Sequence, residues 1–152
     1  MDYPLLIEPD DNETLLVTCP DLPEVTTFGE DEEDALQRAS DAIEEALAAR
    51  MARHEHIPSA SPLRGRKAAG LPPLTVAKVG LYLAMREAGI GKAELGRRLG
   101  WHGPQIDRLL DLRHRSKIEQ IDQALRAVGK ILVVSVQDQA QRRRGERAAI
   151  LS

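Results

Sequence analysis

The chain has 152 residues, 42% hydrophobic but only 3% aromatic, which suits one ordinary domain or two small ones with aliphatic cores. No apolar run approaches the roughly 20 residues of a membrane span. No basic n-region or cleavage site opens the chain, and the lone Cys19 closes no intrachain disulfide, so neither a signal peptide nor a membrane partner is expected and the compartment is expected to be the cytoplasm.

The net charge of −3 conceals two opposite halves. Residues 1–60 hold 16 Asp or Glu and 3 Lys or Arg, a balance of −13, whereas residues 61–152 hold 8 and 18, a balance of +10. The basic half has the electrostatic footprint of a nucleic-acid binder. The acidic half would repel nucleic acid and attract something basic.

Tyr3 to Glu8 make a short apolar run closed by Pro9-Asp10-Asp11-Asn12, which is strong turn chemistry. Residues 14–19 read as the returning strand of a hairpin, and residues 24–28, after the loop between Pro20 and Pro23, as a third strand. From residue 31 the period changes. Leu36, Ala39, Ile43, Ala46, Leu47 and Met51 recur at helical spacing with charges on the other face. Asp31 suits the N-cap and Asp34 resembles the far member of a capping box. Acids in the first turn also favour the positive end of the helix dipole. Two acids would cap as well as the five from Glu30 to Asp34, so the surplus is expected to face a basic partner. A last short strand is expected near His56-Ile57-Pro58, which gives a small β-β-β-α-β domain over residues 1–60.

Residues 58–73 mix Pro, Ser, Gly and basic residues without an apolar period, and 61–73 read as a linker. Helices are then expected over 75–88, 92–99, 104–111 and 117–128, with Gly89 and Gly100 as stops and Pro104 in a first turn. Ile131, Leu132, Val133, Val134 and Val136 form a largely β-branched run, expected to be a strand closing a domain of residues 74–136. No second strand is evident in that half. The expected ladder partner is therefore the same strand of a second subunit, about a two-fold axis. A homodimer follows, and a higher oligomer through the N-terminal domain is left open. Residues 137–152, with Arg142-Arg143-Arg144, read as a basic tail.

The stretch Lys92 to Leu110, "KAELGRRLGWHGPQIDRLL", carries the most specific signal. Two short helices meet at a Gly-containing turn, and Leu95, Leu99, Ile106 and Leu109 would lock them together. That is a helix-turn-helix, whose second helix enters the DNA major groove by its N-terminal residues. Gln105 and Arg108 lie outside the buried pair and suit adenine and guanine edges, with His102 at the turn. Arg97, Arg98, Arg113, Arg115 and Lys117 flank the unit and would hold phosphates. Two-fold symmetry implies a pseudo-palindromic operator.

The N-terminal stretch "PDLPEVTTFGEDEEDALQRASDAIEEAL" resembles the HicB antitoxin family. The second half, down to "RLLDLRHRSKIEQIDQALRAVGK", resembles the lambda-repressor-like helix-turn-helix found at the C-terminus of many members. Members usually carry Thr or Ser as the helix cap where this chain has Asp31, a chemically conservative departure. The resemblance implies a partial ribonuclease-H-like N-terminal fold. It also implies inhibition of a small mRNA-cleaving HicA-type toxin and repression of the protein's own operon. Toxin contacts are expected at Asp21, Leu22, Pro23 and Glu24 and at the acids Glu30, Glu32 and Glu33. An RNA-gripping nuclease must be basic, and an acidic inhibitor matches it.

Catalysis is not expected. A ribonuclease H needs several carboxylates converging on metal ions, whereas Glu8, Asp10 and Asp11 crowd a turn and the helix turns Ala and Leu inward. Cys19, His54 and His56 lack a second spaced pair to complete a metal site. No cofactor is implied. The alternative from another class is a ligand-responsive helix-turn-helix regulator without a toxin partner.

Overall fold

The computed structural model describes residues 1–139, so most of the expected basic tail (140–152) lies outside the described residues. The described chain is α+β and divides into two compact units. The first holds Met1–Ala49, Pro58–Leu71 and, at the end of the described chain, residues 135–139, the second Arg50–Ile57 and Pro72–Val134.

The first unit opens with an antiparallel meander of β1 (Leu6–Pro9), β2 (Leu15–Thr18) and β3 (Thr26–Gly29), in the order β1-β2-β3. Ile7 pairs with Val17 and Val17 with Thr27, while Glu8 pairs with Leu16 and Leu16 with Phe28. Side chains alternate across a strand, so these two rows point to opposite faces. Val17 is fully buried and Phe28 is 47% exposed. Helix α1 (Glu32–Ala52) buries Ala39, Ile43, Ala46, Leu47 and Met51 of the expected stripe, leaves Leu36 half-buried, and adds Ala35 to the buried face. Its start is capped as its acids require. The Asp31 Oδ1 accepts the Asp34 N–H at 2.8 Å, and the Asp34 Oδ2 reaches back to the Glu30 N–H at 2.9 Å.

The expected strand near His56-Ile57-Pro58 does not form. Ile57 is buried, and the carbonyl of Pro58 accepts the Tyr3 hydroxyl at 2.7 Å, a side-chain contact instead of a ladder. The backbone beside β1 is met by another segment, where Leu5 N–H donates to Lys67 O at 2.9 Å and Pro4 bridges Ala68. The stretch expected as a linker is thus tethered at several points, although most of its residues are exposed. The Ser61 N–H and hydroxyl donate to Asp21 at 2.8 and 2.7 Å, the Ser40 hydroxyl donates to Gly70 O at 2.7 Å, and Ala69 is buried. Polar anchoring of this kind leaves no apolar period to read.

In the second unit, α2 (Pro73–Ala88), α3 (Lys92–Leu99), α4 (Gly103–Leu110) and α5 (Ile118–Ala127) enclose Leu81, Leu95, Ile106, Leu109, Ile121 and Leu125. Tyr82 and Arg86 of α2 donate to the carbonyls of Glu55 and His54, at 2.6 and 2.7 Å. The strand expected at 131–136 is not seen. Leu132 packs against the core, but Ile131, Val133, Val134 and Val136 are 64 to 96% exposed. A strand exists only by its ladder, and among the described residues no segment pairs with this one.

Candidate nucleic-acid interface and acidic face

The α3–α4 pair is built on two glycines. Gly100 ends α3 at φ 68°, a left-handed turn that favours glycine. Gly96 faces the turn, where an added Cβ would lie 3.1 Å from the Trp101 carbonyl oxygen, and that oxygen closes over α3 while the Trp101 N–H bonds Gly96 O at 3.0 Å. Leu95, Ile106 and Leu109 seal the contact with at most 2% of their surface exposed. The two helices are therefore held at a set angle by backbone proximity and apolar packing.

On α4 the expected base-reading residues part ways. The Gln105 Oε1 accepts the His102 N–H at 2.9 Å, so its carbonyl oxygen serves the helix cap and its amide nitrogen remains for other partners. His102 is the exposed N-cap. Arg108 is exposed, and its guanidinium has no hydrogen-bond or ion-pair partner among the described residues. Its neighbour Asp107 is held by Lys92 at 2.9 Å.

The flanking cations also divide. Arg97 and Arg98 share Glu94, at 2.7 and 3.2 Å, and Arg98 donates to Ala127 O at 2.8 Å. The Arg97 hydrogen bonds, then those of Arg98, hold the Glu94 carboxyl below its usual value. Arg113, Arg115 and Lys117 are exposed on the loop between α4 and α5, where the Arg113 N–H bonds the Asp111 carboxylate at 2.9 Å.

Sequence reasoning missed one residue of this unit. Lys78 of α2 is completely buried, and its Nζ donates to the carbonyls of Arg108, Asp111 and His114 at 2.9, 2.6 and 2.7 Å. A lysine within an apolar period reads as an outward residue, and only the tertiary contacts turn it inward.

In the first unit, the cap and Arg38 occupy Asp31 and Asp34, and Glu32 lies 3.4 Å from Lys67. The carboxylates of Glu30 and Glu33 are exposed, with no partner among the described residues. Asp31, Glu33, Asp34 and Gln37 line an open recess of about 560 Å³ with Ser40 and Gly70. In the preceding loop Leu22 is fully buried and Asp21 is taken up by Ser61, whereas Pro23 and Glu24 are exposed. Register adds a feature that composition hid. Leu6, Leu16 and Phe28 share the outer sheet face, with Leu6 and Phe28 exposed.

Residues 2–80 match the family described as the HicB_like antitoxin of bacterial toxin–antitoxin systems, more than half of the chain. The chain belongs to the HicB antitoxin family. It is 42% identical over 123 residues to antitoxin HicB of Pseudomonas fluorescens (strain Pf0-1), covering 80% of this chain and 84% of that protein. It is 36% identical over 133 residues to antitoxin HicB of Escherichia coli (strain K12), covering 87% and 96%. Antitoxin HicB 1 of Photorhabdus laumondii (strain DSM 15139 / CIP 105565 / TT01) is 31% identical over 137 residues, covering 90% and 88%. Stretches of this length within 152 residues necessarily include α3 and α4. HicB proteins are antitoxins and not enzymes. Among the described residues, no helix is long and apolar enough to cross a membrane.

Proposed function

We propose that this HicB-family chain binds and blocks a HicA-type mRNA interferase through its first unit, and represses its own operon by binding operator DNA through its second. The observation that carries the DNA reading is Arg108, an exposed guanidinium on α4 without a partner among the described residues, on the second helix of the sealed α3–α4 pair. An Arg in that position suits the O6 and N7 acceptors of guanine. Arg113, Arg115 and Lys117 supply phosphate contacts beside it, His102 and the Gln105 amide lie at the N-terminal end of the same helix, and the tied Arg97 and Arg98 are peripheral.

The toxin reading is supported by the family and by Glu30 and Glu33, whose carboxylates neither the cap nor, among the described residues, an ion pair consumes. Glu32 beside them, the exposed Pro23 and Glu24, and the outer sheet face with Phe28 make the remainder of the proposed docking surface. Acid around an apolar centre suits a basic nuclease, because charge steers encounter and apolar burial holds the complex. The exposed Ile131, Val133, Val134 and Val136 are proposed to pair with the same segment of a second copy, giving a dimer for a pseudo-palindromic operator.

The test is co-expression with a HicA-type toxin, sought as a short basic protein encoded beside this chain. Rescue of growth, a co-purifying complex and salt-sensitive binding to the DNA upstream of the pair are expected. Full rescue by a Glu30→Lys, Glu33→Lys chain at unchanged association rate would remove the acids from the interface. Binding to upstream DNA no tighter than to random DNA would remove the operator.

A further inference from the structure

The helix-turn-helix unit contains a charge that its apolar core does not require. Lys78 is 0% exposed, on a helix whose neighbouring buried residues are Ala77, Val79 and Leu81. Lysines are almost never fully buried unless paired, because an ammonium loses much hydration free energy on leaving water. Here the compensation comes from backbone. An ammonium has three N–H donors, and all three are used, on the carbonyls of Arg108, Asp111 and His114. The first belongs to the last turn of α4, where carbonyls lack intrahelical partners and the helix dipole is negative.

We propose that Lys78 is a positioning residue for DNA binding, its ammonium holding the end of α4 and the loop after it so that Arg113, Arg115 and Lys117 are presented to phosphate. This rests on the DNA-binding reading above. Three carbonyls spread over residues 108–114 converge on one atom, which fixes the path of the whole segment. Arg113 lies between two of the anchored carbonyls, and Arg115 follows directly on the third. Burial draws the Lys78 ammonium below its usual 10.5, with the Asp111 charge opposing the shift, as expected for a cation held by dipoles instead of a direct ion pair.

The loop would survive without the clamp. Arg108 O also accepts the Asp111 N–H at 3.3 Å and the Ser116 hydroxyl at 3.2 Å. Asp111 O accepts the His114 N–H at 3.1 Å, and His114 O the Ser116 N–H at 3.0 Å. Each carbonyl keeps a donor when the lysine is removed. Lys78→Met, which keeps the length of the chain in an apolar surrounding, therefore separates folding from positioning.

The experiment measures affinity of the full chain and of Lys78→Met for upstream and random DNA across a salt series, beside thermal unfolding. Salt-dependent binding by the unaltered chain is the control, and its absence would overturn the DNA-binding reading itself. With that control met, the variant is expected to unfold cooperatively, to bind both DNAs about tenfold more weakly and to show a salt slope shallower by about one contact. A folded variant with unaltered affinity and slope would overturn the proposal. Amide exchange on the unaltered chain tests it even if the variant does not fold. The N–H groups of Asp111, His114 and Ser116 are expected to be protected before DNA is added, and protection only in the complex would overturn it.

Discussion

Gly29 and Ala35 lie so close that no side chain fits between them. A Cβ on Gly29 would sit 2.4 Å from the backbone N and Cα of Ala35, where β3 turns into α1. Backbone cannot move aside as a flexible side chain does. Gly29→Ala is expected to destabilise the first unit by about 1–3 kcal/mol, with toxin neutralisation falling accordingly. A denaturant midpoint equal to that of the unaltered chain would show that the helix start relaxes freely.

Asp21 links the loop before β3 to residue 61. Its carboxyl is held below the usual 3.8, first by the Ser61 backbone N–H and then by the Ser61 hydroxyl. Asp34 is lowered likewise, by the Glu30 N–H first and by Arg38. A depressed folded-state value means that the unfolded chain takes up protons first on acidification. The stability these groups lend is complete above about pH 4 and is lost as pH falls through their folded-state values. Urea midpoints should therefore drop on acidification, and Asp21→Asn should make that drop shallower. An identical pH profile in the variant would show that the Ser61 bonds do not persist in solution.

Arg108 and Arg115 should respond differently to truncation. Arg108→Ala is expected to cost about 1–3 kcal/mol on the operator and to relax preference at one base position. Arg115→Ala should weaken binding to all sequences alike and flatten the salt slope. Competition with single-base operator variants separates the two. Equal losses on operator and random DNA for Arg108→Ala would reassign it to phosphate.

Val134 is 76% exposed in a segment that has no ladder among the described residues. Val134→Pro removes a backbone donor that a paired strand would use. The expected outcome is a monomer in sedimentation that binds DNA poorly, while far-UV circular dichroism of the helices is retained. A dimer of unchanged stability would place self-association elsewhere.

Signals that act within a few residues were legible in the sequence. The 3.6-residue stripe of Leu36, Ala39, Ile43 and Leu47, the Asp31–Asp34 cap and the Gly89 and Gly100 stops each involve neighbours on one helix, so α1 to α4 fall close to their expected bounds. The Asp-Leu-Pro loop with its acidic helix start was likewise readable as family. Pairing across the chain was not readable. Strand partners are chosen by three-dimensional closeness, so the polar stretch around Lys67 and Ala68 meets the residues before β1, while the β-branched run at 131–136 has no ladder among the described residues. The roles of single side chains were decided at the same level. Leu22 entered the core, Glu94 tied Arg97 and Arg98, and the helix cap claimed the Gln105 carbonyl. Lys78 is the clearest case, because what turns a surface-type residue inward is a set of carbonyls at least 30 positions away, brought together only by folding.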